Sequence, residues 1–224
     1  MTISIAGRCA RTGQFGAAVS SSSPAVAARC IQARAGVGAA CTQNVTDPRL
    51  STRLLHLMAE GEAAQAAMDR VTKSEPLIAY RQLSAIDAQG RTAFWSGEQT
   101  LGTYGAIGMN HCVAAGNLLS STAVPRAMAE GFAARPEDDL GSRLVAALVA
   151  GLEAGGEEGP VHSAGMIVVS DAPFPLTDLR VDWSDDPVGD LAKLWRLWRP
   201  QAEAYRTRAL DPASAPSYGV AGDR

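Results

Sequence analysis

Apolar and polar positions alternate from Thr2 to Arg8, with Ile3 and Ile5 on one face and Thr2 and Ser4 on the other. A period of two predicts a half-buried strand. Arg11-Thr12-Gly13-Gln14 reads as a turn and Phe15 to Ser20 as a second strand, so the chain opens on a hairpin. Ser20 to Ser23 and Pro24 end it. Residues 25–30 form a short apolar piece that suits either a helix or a strand. Residues 32–35 and 37–44 read as two further strands divided at Gly36, the second ending in polar Gln43 and Asn44.

The period then changes. Asp47 is placed as an N-cap with Pro48 at the first helical position, and Leu50, Leu54, Leu57 and Met58 recur at helical spacing. After Glu60-Gly61, residues 63–73 continue with Ala64, Ala67, Met68 and Val71, giving a second helix. Residues 79–87 and 91–96 are expected as strands around Ala88-Gln89-Gly90, and 111–119 as another. Thr122 is expected to cap a helix carrying Val124, Met128 and Phe132. Leu140, Leu144, Leu148 and Leu152 mark the next helix, ended by Gly155-Gly156. Residues 164–170 and 179–183 form a last strand pair. Asp186-Pro187 opens a final helix with Leu191, Leu194, Trp195 and Trp198 as its apolar face.

Runs of adjacent strands favour antiparallel sheets, and helices in pairs suggest a covering layer outside each sheet. The pattern therefore predicts an α+β fold of four layers, helices over two stacked, mainly antiparallel sheets over helices. It is read as a single domain over residues 1–208, with an irregular tail over 209–224 rich in Pro, Ala, Ser and Gly.

Composition narrows the function classes. The 224 residues are 46% hydrophobic with a formal net charge of −3, which excludes a disordered chain and disfavours binding to nucleic acid or to an anionic membrane surface. No secretory signal or run of apolar residues long enough to span a bilayer is present, so a cytoplasmic protein is expected. The four cysteines (Cys9, Cys30, Cys41 and Cys112) form no CxxC pair, and His56, His111 and His162 are scattered. Neither a metal nor a cofactor is expected. No GxSxG elbow, phosphate-binding GKS or GKT, or dinucleotide-binding GxGxxG occurs.

The stretch TISIAGRCARTGQFGAAVSSSSPAVAARCIQARAGVGAACTQN, together with HCVAAGNLL around Asn117 and DLRVDWSDDPVGDLAKL from Asp178, resembles a bacterial family known as domain of unknown function 1028. The resemblance runs to about Trp198 and is most specific in RAGVGAACTQN, AAGNLL and DLRVD. It implies the N-terminal-nucleophile (Ntn) hydrolase-like fold, a four-layer αββα sandwich. In that scheme a Thr, Ser or Cys on the first strand becomes the chain terminus. Its side chain attacks a carbonyl while its own α-amine takes the proton. A free α-amine titrates at about 7.7–8.0, close enough to neutrality to act as base.

The resemblance makes Thr2, exposed by loss of Met1, the candidate nucleophile. Arg34 stands at about the distance where proteasome-like relatives carry a lysine; its charge can tune the amine or hold a substrate carboxylate. Asn117, flanked by small and apolar residues, is expected to be buried and hydrogen-bonded, and is assigned with Thr2 and Arg34 to the catalytic set. Ser21 and Ser22 in the serine run, Gln43 and Asn44 at the strand end, and Ser163 are assigned to substrate binding. The expected activity is hydrolysis of a C–N bond in a small amide-like metabolite, by a protein forming homodimers. The alternative is a non-catalytic small-molecule-binding or oligomeric protein on the same fold. A third option is a hydrolase whose Ser, Cys or His groups meet only in space, with Cys9 or Cys41 as nucleophile.

Overall fold

The computed structural model describes residues 1–222. Strands β1 (Thr2–Arg8) and β2 (Phe15–Ser21) form the N-terminal hairpin, paired antiparallel from Thr2↔Ser21 to Arg8↔Phe15. A short helix α1 (Ala27–Cys30) leads into β3 (Ile31–Arg34) and β4 (Gly38–Asn44). Helices α2 (Pro48–Ala59) and α3 (Ala64–Ser74) follow, then β5 (Arg81–Asp87), β6 (Thr92–Ser96), β7 (Gly105–Met109) and β8 (Cys112–Asn117). The rest comprises α4 (Val124–Ala133), α5 (Leu140–Glu153), β9 (Ser163–Val169), β10 (Thr177–Val181), α6 (Pro187–Trp198) and α7 (Ala202–Leu210).

These strands make two antiparallel sheets. The larger runs β10-β9-β2-β1-β8-β7 and the smaller β3-β4-β5-β6. Three apolar layers hold the stack. Ile3, Ile5, Ala114, Met166 and Val168 meet Met128, Phe132, Leu144, Leu148 and Leu191 of the helices over the large sheet. Ala6, Ala17, Val19, Cys41, Ile86, Val113 and Val169 fill the space between the sheets. Ala40, Leu83 and Ala85 pack on Leu50, Leu54, Met68 and Val71 of α2 and α3. The order is thus helix, sheet, sheet, helix, as the pattern predicts.

Local chemistry explains the element ends. Asp47 accepts from the Arg49 amide and Asp186 from the Gly189 amide, two N-caps placed before prolines as expected. Thr122 is not a cap: α4 starts at Val124 after Ala123, and Ser121 Oγ takes the Ala123 amide instead. Strand β7 was not expected, because Gly105 and Gly108 break its hydrophobic pattern; it survives as an edge strand on β8. Helix α7 was also not expected, and it crosses the proposed boundary at residue 208. Beyond it, Tyr218 packs on the Arg208 guanidinium and on the edge of Tyr205. Positions 223–224 of the expected tail lie outside the described residues.

Candidate functional site

Side chains in a strand alternate between faces, so Thr2, Ser4 and Ala6 all point from β1 into the layer between the sheets. That layer changes character along its length. At the end marked by Ala6, Phe15, Val113 and Val169 it is apolar. At the other end the same faces of β1, β2, β4, β5 and β8 present Thr2, Ser21, Gln43, Gln82 and Asn117, all buried. Polar groups this deep must find one another, and the register brings them together.

Thr2 lies between its register partners Ser21 on β2 and Asn117 on β8. Its hydroxyl is 3.2 Å from Ser21 Oγ. Both hydroxyls donate to the carbonyl oxygen of Met1. Ser21 Oγ also lies 3.0 Å from Ser23 Oγ, which accepts from Arg29 Nη2 at 2.6 Å. Arg29 further donates to the carbonyls of Pro24 and Ala25 at 2.7 and 2.9 Å, so its guanidinium is fixed. A line of hydrogen bonds therefore runs from a cation through two serines to Thr2.

A bracket of amides closes the other side. Gln82 Oε1 accepts from Gln43 Nε2 at 2.8 Å and from Asn117 Nδ2 at 3.1 Å, while its Nε2 donates to the Gly116 carbonyl at 3.0 Å. Gln43 Nε2 also reaches the Thr2 carbonyl at 3.5 Å. Gln43 Oε1 is buried without a donor.

The segment after α5 forms the lid of this end. Glu157 bridges to Leu119, and the Glu158 amide donates to the Leu118 carbonyl. A Cβ at Gly159 would stand 2.9 Å from Met1 Cε, so the Met1 side chain rests on bare backbone. Glu157 is 6% exposed, and neither carboxylate oxygen has a hydrogen-bond partner. Burial pushes its carboxyl well above the usual carboxylate range, opposed by the positive amino terminus and the nearby Ser22 amide. On the outer side of the segment, Glu157, Gly159, Pro160, Asp185 and Asp186 line a cleft of about 310 Å³.

Of the residues assigned from sequence, Thr2, Ser21, Asn117 and Gln43 converge here. Ser22 adjoins the site through its backbone amide beside Glu157. The others are placed differently. Arg34 is exposed and pairs with Gly38, the end of β4 farthest from Gln43; it lines a separate cleft of about 440 Å³ with Gln32, His56 and Arg180. The positive charge next to the serines comes from Arg29, which sequence reading missed because α1 inserts a helical turn before β3. Asn44 is consumed by structure: its Nδ2 donates to the carbonyls of Tyr80 and Gln99, and its Oδ1 accepts from the Leu101 amide. Ser163 donates to the Ser23 carbonyl at 2.6 Å and accepts from the Val26 amide, pinning the serine turn rather than facing the site.

Gln82 and Glu157 were missed altogether. Gln82 alternates with Leu83 in a strand and gives no sign of its partners; Glu157 sits in a Gly-rich loop whose path the sequence does not reveal. His162 donates its amide to the Ser21 carbonyl and stacks on Trp183, whereas His111 lies at the far end of β8. Trp195 is buried and Trp198 half-buried, whereas Trp183 is exposed. Cys41 is buried and desolvation pushes its thiol up to about 12, which removes it as a thiolate nucleophile. Among the described residues no cluster of three or more His, Cys, Asp or Glu is placed to hold a metal, and no helix is long and apolar enough to cross a membrane.

A solved structure among the proteins compared has the same architecture. The model of the Family of unknown function (DUF1028) matches residues 2–191. The crystal structure of protein SPO2555 from Silicibacter pomeroyi, described under the same family model, superposes with a TM-score of 0.82 at 29% identity, over 88% of this chain and 85% of that one. Anbu (ancestral beta-subunit) from Yersinia bercovieri aligns over 97% of this chain and 100% of that one, at 10% identity and a TM-score of 0.40. No curated protein matches the chain.

Proposed function

The chain belongs to the family of unknown function DUF1028, and from the geometry around Thr2 we propose that it hydrolyses a C–N bond in a small amide-like metabolite by an Ntn-type mechanism. The observation that carries this reading is the burial of Thr2 on a central strand, with its hydroxyl in a hydrogen-bonded line to Ser21, Ser23 and Arg29.

In the proposed reaction Met1 is first removed, which small residues at the second position permit. The freed α-amine of Thr2 takes the hydroxyl proton, and Oγ1 attacks the substrate carbonyl. Ser21 Oγ, already bound to a carbonyl oxygen at Met1, donates to the oxyanion as it forms. The C–N bond breaks as the ammonium returns its proton to the leaving nitrogen. Water then cleaves the Thr2 ester. The Gln82 bracket fixes Gln43 and Asn117 against Thr2 so that little reorganises during the reaction. A cytoplasmic location and a homodimer complete the proposal; light scattering tests the latter.

Intact-protein mass spectrometry tests the first step, on protein from the native host and from an expression host. The expected mass lacks Met1, and Thr2→Ala then abolishes amide hydrolysis in a substrate screen. Met1 retained in both preparations overturns the mechanism. One observation favours a non-catalytic ligand-binding protein in that case: the Met1 carbonyl occupies the hydroxyls of Thr2 and Ser21, and the Met1 side chain closes the site over Gly159.

A further inference from the structure

Met1 is held at the site through its carbonyl and its side chain. Its carbonyl oxygen accepts from Thr2 Oγ1 and Ser21 Oγ. Its side chain lies on Gly159, where an added Cβ would stand 2.9 Å from Met1 Cε. The positive charge of its amino group acts on the Glu157 carboxyl and opposes the effect of burial. Glu157 itself is almost fully buried, with two acceptor oxygens that make no close hydrogen bond and only the Ser22 amide near them. A carboxyl in that state is costly unless a donor arrives, so its place is explained by a group that the site is built to receive.

We propose that residue 1 marks the acyl subsite, and that the substrate is an α-aminoacyl amide whose free ammonium is bound by Glu157. The scissile carbonyl enters beside the freed Thr2 amine, on the side where the Met1 carbonyl stood, with its oxygen toward the hydroxyls of Thr2 and Ser21. The substrate side chain takes the surface over Gly159 that Met1 vacates. The reaction then balances as in the preceding subsection: Oγ1 bonds to the aminoacyl carbon, the amine leaves with a proton, and water releases the free amino acid. This inference rests on the loss of Met1 and names the substrate class of the same site.

Binding separates the two claims. Thr2→Ala protein, with loss of Met1 verified by mass, is titrated calorimetrically with L-methioninamide and with N-acetyl-L-methioninamide. The free amine is expected to bind at least about tenfold more tightly, a difference of about 1.4 kcal/mol. Glu157→Gln in that background is expected to erase the preference and Glu157→Asp to retain part of it. Far-ultraviolet circular dichroism checks that each variant is folded. Gly159→Val is expected to weaken methioninamide more than glycinamide, since only the former needs the bare surface. Equal affinity for the free and acetylated amides overturns the inference, even if the native protein hydrolyses amides. A preference for the free amine without turnover in the native protein keeps the ligand class and overturns the hydrolase reading instead.

Discussion

Gln43 and Gln82 stand opposite each other in the register of β4 and β5, and their amides join at 2.8 Å on the face that looks toward the large sheet. Gln82 then crosses the gap, accepting from Asn117 and donating to the Gly116 carbonyl on β8. One side chain thus ties the two sheets together at the end where apolar packing gives way to polar groups. The tie sets the spacing around Thr2, because Asn117 and Thr2 are themselves register partners.

Replacing Gln82 by Leu keeps the volume but removes this tie. Gln43 Nε2 and Asn117 Nδ2 lose their shared acceptor in a buried layer. Each orphaned group costs about 1–3 kcal/mol, so a loss of about 2–4 kcal/mol is expected in urea unfolding, with the slope unchanged. An unaltered midpoint would show that the two amides find other partners.

Glu157 makes stability depend on pH in the form that retains Met1. Burial raises its folded carboxyl to about 8, against an ordinary value of 4.5. The folded state therefore holds a proton that the unfolded state has released between those values. The contribution is fully present below about pH 4.5 and is lost as pH rises toward 8. The groups around it are the Met1 amine and the Ser22 amide, with Asp185 and Asp186 on the cleft wall. Glu157→Gln removes the dependence: its gain over the native protein is expected to reach a few kcal/mol, about 2–4, at pH 8.5 and to be smallest near pH 4.5. Parallel denaturation curves for the two proteins across that range would contradict the assignment.

The strand pattern made half of the site legible. Period-two alternation placed Thr2 on a first strand and the hairpin set Ser21 beside it, so their meeting follows from local order. Asn117 was found because an amide amid small and apolar residues has to be buried. Arg34 was misplaced for a geometric reason: β3 runs away from Thr2, and α1 puts Arg29 rather than Arg34 beside the serines. Asn44 read as site chemistry because a polar strand end serves equally for binding and for tying loops; its φ of 72° and its bonds to Tyr80 and Leu101 show the second use. Glu157 was invisible because its burial depends on a short pairing of its loop with residues 118–120 across a long stretch of chain.

Ser163 offers a test of scaffold against chemistry. Its hydroxyl holds the Ser23 carbonyl and the Val26 amide, the two ends of the serine turn, and it does not reach Thr2. Ser163→Ala is expected to cost about 1–2 kcal/mol of stability by leaving those groups unpaired. Amide hydrolysis is expected to fall modestly, by looser seating of Ser21. A loss as deep as that of Thr2→Ala would instead place Ser163 in contact with substrate.

The Arg29–Ser23–Ser21–Thr2 line predicts two graded effects on the hydrolysis proposed above. Ser21 Oγ touches both the nucleophile and the carbonyl oxygen held at the site, so Ser21→Ala is expected to lower kcat by about 10²-fold, as loss of an oxyanion donor does. Arg29 acts at two hydroxyls' remove and its effect is electrostatic. A positive charge nearby disfavours the ammonium form of the Thr2 amine, and the reaction needs the free amine. Arg29→Met is therefore expected to move the acid limb of the kcat/KM profile to higher pH and to lower the rate less than Ser21→Ala does. Arg29→Lys keeps the charge but loses the fork that reaches Ser23, Pro24 and Ala25 together, so it restores the acid limb more fully than it restores stability. If Arg29→Met destabilises the serine turn yet leaves the profile unshifted, the guanidinium only holds the loop and the base at Thr2 is tuned from elsewhere.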